Sequence, residues 1–282
     1  MVGQGAIDAW CNVFTHDGIR KYFVEPEHIR FAFKLFKREH LLVGYTVPEF
    51  LAKLDEAGVE KICVPSFKVC AYRGEMQQDC PLEEVAELVE QAPDRIIGLV
   101  GINPMRIMDA VRELERGVKE SGFRGAHIHT YGFGLNLNDR MYWPIYAKCC
   151  ELDVPVLMQV GHSAEQMPSY AGHPLHIDEI ALDFPELRIV GMHTGWPWTE
   201  LMTALAWKHP NVYIGTSAHA PRYWDQVLVR FINTRGQDKV LFASDYPVLQ
   251  HKECIEQIEQ LGLREEPKKK LFRENAVRVF KL

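Results

Sequence analysis

In Arg188-Ile-Val-Gly-Met-His193 a histidine stands just past the end of an apolar run, and the chain turns at once through Gly195 and Pro197 between Trp196 and Trp198. A strand-end histidine beside a turn is where α/β folds place acid-base groups or metal ligands. The setting recurs along the chain. His127 and His129 share one face of an apolar segment, Gln159 and His162 follow another, Ser217 and His219 a third, and Asp245 comes just after Val240-Leu-Phe-Ala243. Trp10 and Asn12 follow the first apolar run, and Lys68 and Arg73 the second. Such groups can move protons, clamp a carboxylate through Arg73 or Lys68, or in part hold a cation. Asp245 in particular, a carboxylate at a buried rim, needs a partner or a task.

The elements that position these residues follow from periodicity. Apolar strands are expected over 6–10, 61–64, 95–100, 125–129, 154–160, 188–192, 212–215 and 240–243. Amphipathic helices separate them from residue 46 onward, the first opened by a capping box of Thr46 and Glu49. A last helix spans 267–280. Continuous apolar strands alternating with helices require a parallel sheet covered by helices, and eight units in 282 residues favour closure into a single (β/α)8 TIM barrel over residues 1–282. No G-x-G-x-x-G follows the first strand, which removes the main reason for an open doubly wound sheet. Residues 12–44, aromatic and basic without strand alternation, read either as a lid over the site or as short helices on the barrel rim.

Composition narrows the partners. A net charge of −6 and no dense Lys/Arg stripe argue against a nucleic acid, and no window of eighteen apolar residues argues against a membrane span. Seven cysteines without a C-x-x-C pair read as reduced thiols of a cytoplasmic protein.

Val240-Leu-Phe-Ala-Ser-Asp-Tyr-Pro247, the stretch from Phe184 to Trp198, and His209-Pro-Asn-Val-Tyr-Ile-Gly-Thr-Ser217 together resemble the amidohydrolase-related family of metal-dependent hydrolases and decarboxylases of the aminocarboxymuconate-semialdehyde type. The resemblance implies a (β/α)8 barrel, a small-molecule substrate, a homodimer, and a divalent metal held by an H-x-H pair on strand one, a histidine on strand five and an aspartate on strand eight. It also implies a strand-six histidine that orients or deprotonates water. The sequence departs from that pattern: Trp10 and Asn12 occupy the H-x-H slots and Gln159 the strand-five slot, while Asp245 and His193 match. Indole donates nothing to a metal, and amide oxygens are poor zinc ligands. No tightly bound metal is therefore expected; the alternative is zinc or manganese on Asp245, His193 and a strand-four or strand-five histidine.

The leading expectation is hydrolysis of, or addition of water to, a small carboxylated, planar or aromatic substrate, with His193 as base and Asp245 orienting it. Trp10, Asn12, Arg73, His129, Gln159, His162 and Trp196 would bind the substrate, with Tyr131 and Trp198 adding apolar wall. The alternatives are a non-oxidative decarboxylase in the same pocket and a catalytically inactive binding barrel.

Overall fold

The computed structural model describes residues 5–72 and 76–282. Eight parallel strands lie side by side in chain order: β1 (Ala6–Asp8), β2 (Val59–Pro65), β3 (Ile96–Gly101), β4 (Ala126–Ile128), β5 (Val156–Gln159), β6 (Ile189–Met192), β7 (Val212–Gly215) and β8 (Val240–Leu241). The last meets the first through a seam of single hydrogen bonds. Ala9 N–H donates to Phe242 O (2.9 Å), Asp245 N–H to Trp10 O (2.8 Å) and Asn12 N–H to Tyr246 O (3.0 Å). This is the (β/α)8 TIM barrel expected from the alternating pattern.

Strand alternation builds two cores. Ile97 and Leu99 of β3, Leu157 of β5, and Val190 and Met192 of β6 fill the barrel interior, where Ala276, Val279 and Phe280 of the last helix close the lower end. Their neighbours Ile96, Val100, Val156, Met158 and Ile189 face outward onto the helices. Each fully buried side chain of this kind contributes roughly 1.5–3 kcal/mol.

The expected last helix is interrupted: Glu265–Lys269 and Asn275–Phe280 flank a π turn at Lys270–Glu274. Leu271 O there accepts from Phe242 N–H (2.9 Å), and Ala243 N–H donates to Thr216 Oγ1 (2.9 Å). β8 ends two residues before the apolar run does because those amides leave the ladder.

Residues 12–44 are both rim helices and wall. His16–Ile19, capped by Thr15 Oγ1, runs through a π turn (Arg20–Val24) and is followed by Glu27–Leu35. Tyr22 OH donates to Glu84 (2.7 Å), and Arg38 grips Glu253 with two bonds of 3.1 Å, so the segment is pinned at both ends. The segment after β2 forms an antiparallel hairpin, Phe67–Cys70 with Met76–Cys80, where no strand was expected. One face buries Phe67 and Val69; the short polar second strand carried no visible apolar period. No helix among the described residues is long and apolar enough to cross a membrane.

Candidate active site

At the C-terminal ends of β6, β7 and β8 the backbone leaves ordinary geometry. His193 (φ 61°), Thr194 (56°), Ala218 (65°) and Asp245 (58°) occupy the left-handed region without being glycine. Such residues cost about 1–3 kcal/mol each and cluster where a side chain must be aimed. His193 and Asp245 both border one cavity of about 420 Å³.

Beneath them a buried network fixes the β1–β8 seam. Asp8 Oδ1 accepts from Trp10 N–H and Ser244 N–H, both at 2.9 Å, and Oδ2 from Ser244 Oγ (2.5 Å) and His251 Nε2 (2.8 Å). One carboxylate thus sets the directions in which Trp10-Cys-Asn12 and Ser244-Asp245 leave their strands.

Asn12 is the key to the floor. Its Oδ1 accepts from Trp10 Nε1–H (3.0 Å), while Nδ2 donates to Tyr246 O (2.8 Å) and Asp245 Oδ1 (2.7 Å). The amide cannot be flipped, because indole nitrogen only donates and a backbone carbonyl only accepts. Asn12 therefore presents an N–H donor to Asp245. Burial pushes the Asp245 carboxyl well above the usual carboxylate range; Asn12 works against this, and Asp8 and Glu165 reinforce it. Protein surrounds the group, yet it keeps partial access to the cavity.

Trp10 packs edge-on against His127 (centroids 4.3 Å) and tilted over His193 (5.1 Å). His193 Nδ1 lies 2.9 Å from Ser217 Oγ, which also accepts from the His193 backbone N–H (3.1 Å). Both groups are satisfied when the serine hydroxyl donates to Nδ1, leaving Nε2–H as the ring's free donor. Across the mouth, His129 Nε2 meets Glu165 Oε1 at 3.1 Å, and although burial raises the Glu165 carboxyl, His129 holds it below its ordinary range. Gly161 allows the loops after β5 and β6 to touch: at φ 100°, a Cβ there would stand 2.3 Å from Trp196 O.

His127 Nδ1 and Nε2, His129 Nδ1, Gln159 Oε1, His162 Nδ1 and Glu165 Oε2 are buried without a protein partner, and all five residues border this cavity. Native interiors leave few such atoms unpaired. Among the described residues only His28, Tyr142, Thr199 and Glu259 hold others. Their convergence marks a place shaped for a polar ligand.

Trp10, Asn12, His129, Gln159, His162, His193, Trp196 and Asp245 come together here, as does Tyr131; Trp198 does not line the cavity. Two expectations change. Lys68 is no carboxylate clamp at the mouth: it points from the outer face of the hairpin to Asp79 (2.5 Å) and Glu113 (3.5 Å). Asp245 does not orient His193, since Asn12 holds the one and Ser217 the other. Arg73 lies outside the described residues. Sequence reasoning missed Glu165 and Phe67, whereas Phe23 and Phe33 belong to the aromatic segment it offered as a lid.

The site's histidines make stability depend on pH. Burial, aided by His219, pushes His193 down to about 3, and burial with His162 pushes His219 down to about 4. The unfolded chain protonates such rings near pH 6.5. Between that value and the folded ones it binds more protons than the folded chain, so stability rises with pH through the window and falls on acidification. The melting temperature is expected to drop between about pH 6.5 and about pH 4; a flat profile there would show that these rings titrate normally.

The residues do not fit the metal that the family resemblance implies. Trp10 and Asn12 turn N–H groups, not lone pairs, toward the floor. Among the described residues, the ligand atoms of Asp245, His193 and a third histidine do not gather within 4.8 Å of one another. Asp8, Cys11 and His251 do gather so closely, but the Asp8 oxygens already accept four hydrogen bonds and burial pushes the Cys11 thiol up, away from the thiolate that binds metals.

A family model described as amidohydrolase matches residues 66–282. The chain is 27% identical over 249 residues to the gamma-resorcylate decarboxylase of Polaromonas sp. (strain JS666), covering 70% of this chain and 74% of that one. It is 26% identical over 197 residues to the 2-amino-3-carboxymuconate-6-semialdehyde decarboxylase of Dictyostelium discoideum, covering 58% and 55%. The solved dihydroxybenzoic acid decarboxylase of Polaromonas sp. JS666, with bound manganese and the inhibitor 2-nitroresorcinol, superposes with a TM-score of 0.72 at 22% identity, covering 99% and 97%. Hydrolysis, the leading expectation from the sequence, is corrected by these relatives: they are decarboxylases and favour the carboxy-lyase alternative. The enzyme reading holds at the level of the superfamily, and on the match over residues 66–282 the chain belongs to the amidohydrolase family.

Proposed function

We propose that this chain is a non-oxidative decarboxylase of a planar, hydroxylated carboxylic acid, with Asp245 as proton donor and without a divalent metal. The observation that carries the reading is the Asn12–Asp245 hydrogen bond. It leaves a carboxyl group with one oxygen locked, the other free, and a burial that favours the protonated form. The named activities of the curated relatives supply the reaction class.

The substrate's hydroxyls and carboxylate would meet His193 Nε2–H and the unpaired atoms of His127, His129, Gln159 and Glu165. A histidine held near 3 is a poor base at neutral pH, so His193 acts here as a neutral donor. Asp245 gives its proton to the carbon that bears the carboxylate. The C–C bond then breaks, its electron pair restores the ring or chain unsaturation, and carbon dioxide leaves; Asp245 recovers a proton from water. Among the described residues, no Lys or Arg lines the cavity. An open cavity with these unpaired groups counts against an inactive barrel.

The test is carbon dioxide release from 2,6-dihydroxybenzoate and related hydroxylated aromatic and dienoic acids, before and after exhaustive dialysis against a chelator. Release that survives dialysis is expected. Loss of activity restored by manganese would overturn the metal-free mechanism, and no release from any member of the panel would overturn the decarboxylase reading.

A further inference from the structure

The cavity has two chemically opposite walls. Its floor is the strand-end set of Asn12, His127, His129, Gln159, His193 and Asp245. The facing wall comes from the rim helices and the hairpin: Phe23, Ile29, Ala32, Phe33, Phe36 and Phe67, with Val69 beside them. Phe23 and Phe33 meet edge to face at 6.1 Å, and both are buried. Gln78, which also lines the cavity, donates its Nε2 to Tyr22 O (2.5 Å). Phe36, 39% exposed, stands at the solvent end.

A single dihydroxylated ring with its carboxylate fills only part of about 420 Å³. The remainder adjoins the phenylalanine wall, where a polar substituent would be desolvated without a partner and an apolar one would be favoured. We infer that the substrate is amphiphilic: a hydroxylated carboxylic acid head on the histidine floor, with an apolar substituent of several carbons opposite the carboxylate, against Phe23, Phe33 and Phe36. Residues 16–41 thereby determine specificity. The inference deepens the decarboxylase reading and takes the acid head from it.

Equilibrium binding of resorcinol and 5-propylresorcinol, the products of the short and the tailed acid, separates the two questions because neither compound is turned over. Each buried methylene is worth about 4-fold in affinity, so the propyl compound is expected to bind about 60-fold more tightly. Phe36→Asp, at a partly exposed position, is expected to reduce that ratio at least about tenfold by placing a charge against the tail. Ala32→Leu, which fills the same space, serves as a second variant. A wild-type ratio near one, or a ratio untouched by both variants, overturns the inference. A high ratio with no carbon dioxide from either parent acid supports the two-walled site while sinking the decarboxylase reading; turnover with a ratio near one does the reverse.

Discussion

Asp245→Asn is expected to lower the turnover number for decarboxylation by about 10³-fold, within the range that a positioned acid contributes. The substitution keeps the size of the side chain and an oxygen to accept from Asn12 Nδ2, now 2.7 Å from Asp245 Oδ1. What disappears is the transferable proton on the free side of the group, so KM should change little while the maximal rate falls. If Asp245 instead served as a metal ligand, the same substitution would act through the ion. Metal content measured beside the rates distinguishes the two, because here the wild-type protein and the variant should carry equally little. A second readout follows from the proton's path: product formed in deuterated water should carry deuterium at the carbon that held the carboxylate. A fall in rate under about tenfold, or a wild-type protein with one metal per chain, would remove Asp245 from this role.

The barrel was legible in the sequence because its strands are buried on both faces, which writes them as continuous apolar runs between turn residues. β7, expected at 212–215, spans Val212–Gly215. The strand-end positions of His193 and Asp245 were legible for the same reason. What escaped was set by tertiary contact alone. Glu165 lies in a loop without a period, and only the packing of that loop brings it to His129. The aromatic residues of 12–44 were visible as a cluster, but whether they covered the site or merely the rim depended on how the helices sit; they do both. The partner of Asp8 is His251, 243 residues away, which no local pattern announces. The hydrogen-bond direction at Asn12 needed Trp10 and Tyr246 in place before it could be read.

Asp8→Ala is expected to be the most destabilising substitution near the site, by about 3–5 kcal/mol, the usual consequence of removing one partner from a buried charged network. Asp8 is fully buried and collects four donors: the backbone amides of Trp10 and Ser244, the Ser244 hydroxyl and His251 Nε2. None of these has water to turn to when the carboxylate goes. For a chain of this length the change corresponds to a melting temperature lower by about 5–8 °C. His251→Phe provides the graded comparison. It keeps an aromatic ring stacked on Tyr246, whose centroid lies 5.7 Å from that of His251, and withdraws a single donor, so a loss of about 1–3 kcal/mol is expected. The order of the two variants matters more than either value. If the network holds the seam, Asp8→Ala should also cut turnover beyond its effect on the folded fraction, because Asn12 and Asp245 leave their strands from the residues that Asp8 binds. An Asp8→Ala protein that melts close to the wild type, or that melts low but turns over normally at low temperature, would show that the seam's backbone bonds position Asp245 without it.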